Sequence, residues 1–256
     1  MKTLAIVNQK GGVGKTTTAI NFADSLRKMK KKVLFVDMDP QHSASTTYRA
    51  QIDGSTTIYD VLKGESEVKE AIQKTGMGDI IAGDILLLEL EPALLTQVGS
   101  EFFLREKLEE VEEKYDFCVV DTPPNPGRYT AMALVAADAC VIPLMPGKYA
   151  VNGLAQITKT IQSVQRRVNK ELKNLGVLIV RFDKRKKEDR EISEQLPELA
   201  KQNGYSVFKT LVRVSQDVET AQRHDTSLLE KYPDSNGAKD YIDATKEMIK
   251  KLKEAK

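Results

Sequence analysis

Five short runs of the chain, residues 4–7, 33–36, 117–120, 139–144 and 175–180, are apolar almost without interruption. A strand with one wet face alternates apolar and polar residues. A run without alternation suits a strand covered on both faces. Between these runs lie stretches with helical spacing, at 15–30, 101–114, 127–137, 151–169, 189–202 and 237–253. Strand and helix in alternation predict an α/β fold: a doubly wound, mostly parallel sheet with helices on both faces. Three weaker runs, 79–82, 85–88 and 206–211, read as further strands. No repeat, low-complexity tract or Pro- or Gly-rich linker breaks the sequence, so residues 1–256 are expected to form one domain.

Composition removes several classes. With 41% hydrophobic and 30% charged residues the chain is neither collagen-like nor disordered in character. Its 39 Lys+Arg against 37 Asp+Glu give a net charge of +2, too little to hold nucleic acid by bulk charge, though a local basic patch fits. No apolar run approaches the ~20 residues of a membrane helix. The first residues turn polar at Asn8, before a signal-peptide core could form. A cytoplasmic location is expected. Cys118 and Cys140 fall inside apolar runs and read as reduced core thiols.

Ligands of such sheets bind beyond the carboxyl ends of the strands, and there the chain carries its most specific pattern. The first run passes into Asn8-Gln9-Lys10-Gly11-Gly12-Val13-Gly14-Lys15-Thr16-Thr17-Thr18 and then a helix. Gly11, Gly12 and Gly14 let the backbone turn and aim its N–H groups inward, with Val13 between them. Those groups and the positive end of the following helix make a phosphate cradle. Lys15 would reach the β- and γ-phosphates of a nucleotide and the Thr16 hydroxyl would hold Mg²⁺, with Thr17 beside it. A further element of such a site is residues 117–120, a buried strand that delivers Asp121 toward the Mg²⁺, followed by Thr122, Pro123 and Pro124. A second strand, 33–36, ends in Asp37-Met38-Asp39-Pro40-Gln41 and places two more carboxylates at the same end of the sheet.

Gln9 stands where the usual phosphate loop has its first glycine, and Lys10 stands directly before Gly11. Lys10-Gly11-Gly12-Val13-Gly14-Lys15-Thr16 is a deviant Walker A motif and resembles the ParA/MinD group of ATPases. The resemblance continues at Val36-Asp37-Met38-Asp39-Pro40-Gln41, at Ala136-Ala137-Asp138 with the following Ile142-Pro143, at Tyr149-Ala150-Val151-Asn152-Gly153-Leu154, and near the end at Tyr232-Pro233 and Gly237-Ala238. It is strongest over residues 3–49 and 117–154. It implies an ATPase with ATP and Mg²⁺ as cofactors. Lys10 would cross a two-fold interface to the partner subunit's phosphates, so that ATP joins two copies in a sandwich dimer. Asp39 would orient the attacking water, and Asp37 would support the magnesium shell with Thr16 and Asp121.

Within that group the chain resembles the short ParA proteins, which implies plasmid or chromosome partition, non-specific binding to nucleoid DNA and a ParB-like partner that stimulates hydrolysis. Two other readings stay open: a MinD-like positioning ATPase on a membrane, and a nucleotide switch that binds only a protein. The last helix has Tyr241, Ile242, Thr245, Met248, Ile249 and Leu252 on one face and is read as packing on the sheet. Residues 166–190 carry ten basic residues against four acidic ones and form a candidate DNA footprint acting through phosphate contacts. Arg185 matches the Asp-x-Arg of the resembled proteins as Asp183-Lys184-Arg185, and Arg213 and Arg223 are further candidates. The chain departs from the ParA pattern at Gly147, where a glutamate that touches ribose is usual, and at Asp217, where a base is usual. No helix-turn-helix segment is expected ahead of the first strand.

Overall fold

In the computed structural model, which describes residues 1–147 and 150–254, the apolar runs become strands of a single sheet. These are Lys2–Ile6 (β1), Val33–Asp37 (β2), Phe117–Asp121 (β5), Ala139–Leu144 (β6) and Lys173–Ile179 (β7), joined by Ile72–Thr75 (β3) and Gly78–Ile81 (β4). The order is β3-β4-β2-β5-β1-β6-β7, with only β3 antiparallel to its neighbour. Successive strand residues point to opposite faces and both faces are covered, which is why the runs do not alternate. Leu34, Val36, Cys118, Val120, Cys140 and Ile142 enter one core. Val33, Phe35, Val119, Val141 and Leu178 enter the other. Cys118 and Cys140 are free and buried, and burial pushes the Cys140 thiol up to about 12.

The first core is covered by Ile58–Lys63 (α3), Leu87–Thr96 (α4), Phe103–Glu109 (α5), Arg128–Ala136 (α6), Ala150–Arg167 (α7) and Lys187–Gln202 (α8). The second is covered by Lys15–Lys28 (α1), Ser43–Tyr48 (α2), Gln216–Arg223 (α9), Leu228–Lys231 (α10) and Asn236–Glu254 (α11). Tyr241, Ala244 and Met248 of α11 are buried, and the ring of Tyr241 meets that of Phe22 of α1 edge-on at 6.4 Å. The apolar face of the last helix is therefore covered by the protein itself.

Four readings are corrected. Residues 85–88 are not a strand: the Asp84 carboxylate accepts from the Leu86 N–H at 2.9 Å, which turns the chain out of the sheet and into α4. Residues 206–211 form no strand of their own; they run along the outer edge of β7, paired through Val207 with Val177. The helix expected over 101–114 breaks into two short 3₁₀ turns around α5. Glu106, Glu109, Glu110, Glu112 and Glu113 put like charges a turn apart and at a helix carboxyl end, where negative charge is unfavourable. The basic run 166–190 does not make one face. Arg166, Arg167 and Lys173 lie at the amino-terminal end of β7, and Arg181 to Arg190 follow its carboxyl end, the full length of the strand away (about 20 Å).

Candidate active site

Register puts the site together. Parallel pairing sets Ile6 beside Asp121 and Asp121 beside Asp37, so β1, β5 and β2 end at one height. The loop after β1, the carboxylate of β5 and the carboxylates after β2 thus share a single crevice. Asn8 fixes the start of the loop: its amide donates to the Pro143 carbonyl at 2.7 Å and its oxygen accepts from the Lys10 N–H at 3.0 Å.

Gly12 and Gly14 have φ of 72° and 82°, left-handed values that a side chain rarely adopts. Gly14 caps α1 with no side-chain bond, and the first turn of α1 has no acid. The N–H groups of that turn are left for an anion. Val13 is buried and pins the loop, while Gly11 and Gly12 are exposed. Lys15 is buried at 6% exposure and its ammonium donates to the Lys10 carbonyl at 3.3 Å. Burial lowers the Lys15 pKa, and the charges of Asp121 and Asp39 pull it part of the way back. The Lys10 side chain is exposed. Thr16 and Thr17 are half-buried, and the Thr17 hydroxyl accepts from the Gln222 amide of α9.

The three carboxylates differ. Asp121 is fully buried. Its Oδ1 accepts from the Thr122 N–H at 3.1 Å, and its Oδ2 has no partner. Burial, then the charge of Asp37, holds its pKa well above the carboxylate range, with Thr16 and Lys15 opposing. Asp37 is also fully buried, but its oxygens are occupied by Ser45 and the Asp39 N–H, and burial pushes its pKa up to about 6. Of the two, Asp121 is the one that offers a free oxygen. Asp39 accepts from the Gln41 N–H at 3.0 Å and borders the crevice.

Beyond the loop the crevice widens into a cavity of about 540 Å³, large enough for a nucleotide. Its far wall is Arg181, Val212, Arg213, Val218 and Gln222. Of these the sequence singles out only Arg213, and for DNA rather than for this cavity. They arrive because residues 212–214 run beside the end of β7, where the Val212 N–H donates to the Ile179 carbonyl at 2.9 Å and the Phe182 N–H to the Val212 carbonyl at 3.0 Å. Arg181 is ion-paired with Glu219 at 2.8 Å.

The basic candidates are dispersed. Arg185 projects into solvent, 80% exposed, yet its Nε and Nη2 donate to Asp183 at 2.9 and 2.8 Å. Arg213 sits in the cavity wall, its N–H, Nε and Nη2 all donating to Asp240. Arg223 is exposed at the end of α9. Gly147 has a φ of 157° and offers no side chain. Lys148 and Tyr149, the start of the Tyr149–Leu154 resemblance, lie outside the described residues.

Residues 1–174 match the AAA domain family. The chain is 34% identical over 250 residues to the sporulation initiation inhibitor protein Soj of Bacillus subtilis (strain 168), covering 96% of this chain and 98% of Soj. It is 38% identical over 208 residues to the chromosome partitioning protein ParA of Myxococcus xanthus (strain DK1622), covering 80% of this chain and 74% of that protein. Among solved structures it superposes on cobyrinic acid a,c-diamide synthase from Mycobacterium smegmatis, crystallised with an ATP analogue and magnesium. That match has a TM-score of 0.86 and 28% identity, over 100% of this chain and 97% of the other.

Proposed function

The chain belongs to the ParA-type partition ATPases, and from that premise we propose that residues 1–256 act as one Mg²⁺-dependent ATPase domain, hydrolysing ATP to ADP and phosphate in plasmid or chromosome partition. The observation that carries this reading is the free Oδ2 of Asp121, buried without a partner at the strand end that faces the phosphate loop. A buried carboxylate left unpaired costs about 1–3 kcal/mol or more, and a divalent cation would relieve it. Among the described residues no cluster of three His, Cys, Asp or Glu forms a protein cage. That suits Mg²⁺, which takes one or two protein oxygens, phosphates and water. Thr16 and Asp121 would hold it, with Asp37 keeping the strand end in place. Bound there, Mg²⁺ would supply positive charge to offset that of the nucleotide phosphates.

The protein's own groups do the rest. The N–H groups from Gly11 to Thr17 and the Lys15 ammonium bind the phosphates. Asp39 holds a water at the crevice through its carboxylate and orients it for attack. Lys10, exposed at the mouth of the loop, reaches the phosphates of a second copy and stabilises their charge in trans, as an arginine finger does. ATP therefore joins two copies. The dimer doubles exposed bases such as Arg185 and Arg223 and binds DNA without sequence preference. A ParB-like partner triggers hydrolysis and release. The working location is cytoplasmic and nucleoid-associated. The buried face of α11 supports this over a membrane-bound role, and no described helix is long and apolar enough to cross a membrane.

The test is Asp39→Ala. It should retain ATP and dimerise, yet lose turnover by about 10²–10⁴-fold, the usual loss for a group that activates water. Turnover at the wild-type rate in that variant would overturn the assignment of the water to Asp39.

A further inference from the structure

Ser45 lies outside every motif of the sequence, in the first turn of α2, and is fully buried. Its N–H and its hydroxyl are both engaged around one carboxylate. Its N–H donates to Asp37 Oδ2 at 2.9 Å, its hydroxyl donates to the same oxygen at 2.7 Å, and that hydroxyl accepts from the Gly83 N–H at 2.8 Å. Asp37 Oδ1 accepts from the Asp39 N–H at 3.1 Å, and Asp39 Oδ1 accepts from the Gln41 N–H at 3.0 Å. A chain of hydrogen bonds thus runs from beyond the end of β4, through Ser45 and Asp37, to the backbone N–H of Asp39, whose carboxylate borders the crevice. Gly83 closes the assembly from the other side. A Cβ there would lie 3.0 Å from both Asp37 Cγ and the Asp39 carbonyl oxygen.

We propose that Ser45 is a positioning residue for ATP hydrolysis: through Asp37 it fixes the backbone at Asp39, and so the aim of the carboxylate that holds the attacking water. This rests on the ATPase reading above. Two donors on a single oxygen leave Asp37 one orientation. Remove the hydroxyl and Oδ2 keeps one donor, the Ser45 N–H, so the carboxylate is held by one bond on each oxygen and can tilt. The Asp39 N–H bond moves with it. A misplacement of about 1 Å near reacting groups can cost on the order of 10²-fold in rate. Ser45 itself does not line the cavity, whereas Ser43, Thr46 and Thr47 of the same segment do. Its loss should therefore spare nucleotide binding and fall on turnover, a split that a purely structural serine would not produce.

Two variants approach Asp37 from opposite sides. Ser45→Ala removes the hydroxyl, and Gly83→Ala leaves Ser45 intact but pushes against Asp37 and Asp39. Each is compared with the wild type and Asp39→Ala for kcat at saturating MgATP, for ATP Kd by equilibrium dialysis, and for folded fraction by circular dichroism. We expect kcat per folded molecule to fall about 10-fold in each, the scale of losing one hydrogen bond to a charged group, with Kd within about 3-fold of wild type. If Ser45→Ala does not fold, Gly83→Ala carries the test. Wild-type kcat in the folded variants, or a Kd that worsens as much as kcat falls, overturns the positioning role while Asp39→Ala remains inactive. An Asp39→Ala variant as active as wild type overturns the ATPase assignment and the positioning role together.

Discussion

Lys15 and Lys10 are joined by a hydrogen bond, the ammonium of the first donating to the backbone carbonyl of the second, while their side chains occupy opposite environments. Lys15 is buried inside the loop and Lys10 is exposed at its mouth. Both cations belong to one seven-residue motif, so a phosphate bound inside the loop would be served by Lys15 without the Lys10 side chain.

Lys10→Ala should accordingly still bind ATP, because Lys15, Thr16 and the N–H groups of α1 remain. It should stay monomeric with ATP where the wild type is expected to dimerise, and lose most of the DNA affinity that the dimer is proposed to supply. Light scattering with and without ATP, beside DNA binding titrated with salt, reads both. A Lys10→Ala protein that dimerises like the wild type would show that Lys10 does not act in trans.

The partnerless oxygen of Asp121 makes the opposite kind of prediction, for stability. Asp121→Asn removes a buried ionisable group without removing a bond from Oδ2. The nucleotide-free variant should be more stable than wild type at pH 7.5 by about 1–3 kcal/mol, while its Mg²⁺-dependent gain in ATP affinity disappears. The sign with pH follows from burial raising the folded pKa of Asp121. Below the unfolded value of about 3.9 the carboxyl is protonated in both states and the variant gains nothing. Above it the unfolded chain ionises first, wild-type stability falls, and the variant's advantage grows as pH rises. Urea denaturation at pH 4 and pH 7.5 compares the two, and an advantage that is equal at both pH values would place the cause elsewhere than in ionisation.

The phosphate loop, the two aspartate-bearing strand ends and the fold were legible because each is local. Residues 117–121 are apolar up to the aspartate whatever surrounds them, and Gly12 and Gly14 announce their left-handed backbone in the sequence. Strand β3 was not legible, because it is a half-buried edge strand of mixed polarity, Ile72-Gln73-Lys74-Thr75, held by pairing with β4 rather than by its own pattern. The far wall of the cavity escaped for a different reason. Arg181 and Gln222 are 41 residues apart and meet the loop only through bonds between residue 212 and the end of β7. Ser45 likewise looks like any serine of a polar helix until Gly83 and Asp37 close around it.

Asn169 supports the fold at a point where a helix ends without a cap. It is 8% exposed, and its amide lies within 3.0, 3.1 and 2.8 Å of the carbonyls of Leu134, Val135 and Ala137 at the carboxyl end of α6. Those carbonyls have no partner within the helix. Asn169→Ala should lower stability by about 1–3 kcal/mol, the cost of buried acceptors left unpaired, with ATP affinity unchanged because the site lies at the other end of the sheet. Denaturant midpoints and ATP binding check it together. A loss below about 0.5 kcal/mol would mean that water satisfies the carbonyls.

The Asp183–Arg185 pair ties a stability prediction to the proposed DNA binding. Three bonds from Arg185, one from its backbone N–H and two from its guanidinium, hold the Asp183 carboxyl down at about 2. A folded pKa below the unfolded one means that the pair stabilises the fold at pH above about 4 and that this contribution is lost as pH falls toward about 2. Asp183→Asn should therefore be less stable than wild type at pH 7 and converge with it near pH 2. The same carboxylate offsets the charge of the exposed Arg185. Freed of it, Arg185 can approach a phosphate with its full charge, so Asp183→Asn should bind DNA more tightly at low salt. The slope of log K against log salt should steepen by up to about 0.9 for every additional DNA phosphate that an Arg185 side chain neutralises. Arg185→Ala should do the reverse. If Asp183→Asn leaves the slope unchanged while Arg185→Ala weakens binding, Arg185 meets DNA with Asp183 still attached and the carboxylate positions the guanidinium instead of competing for it.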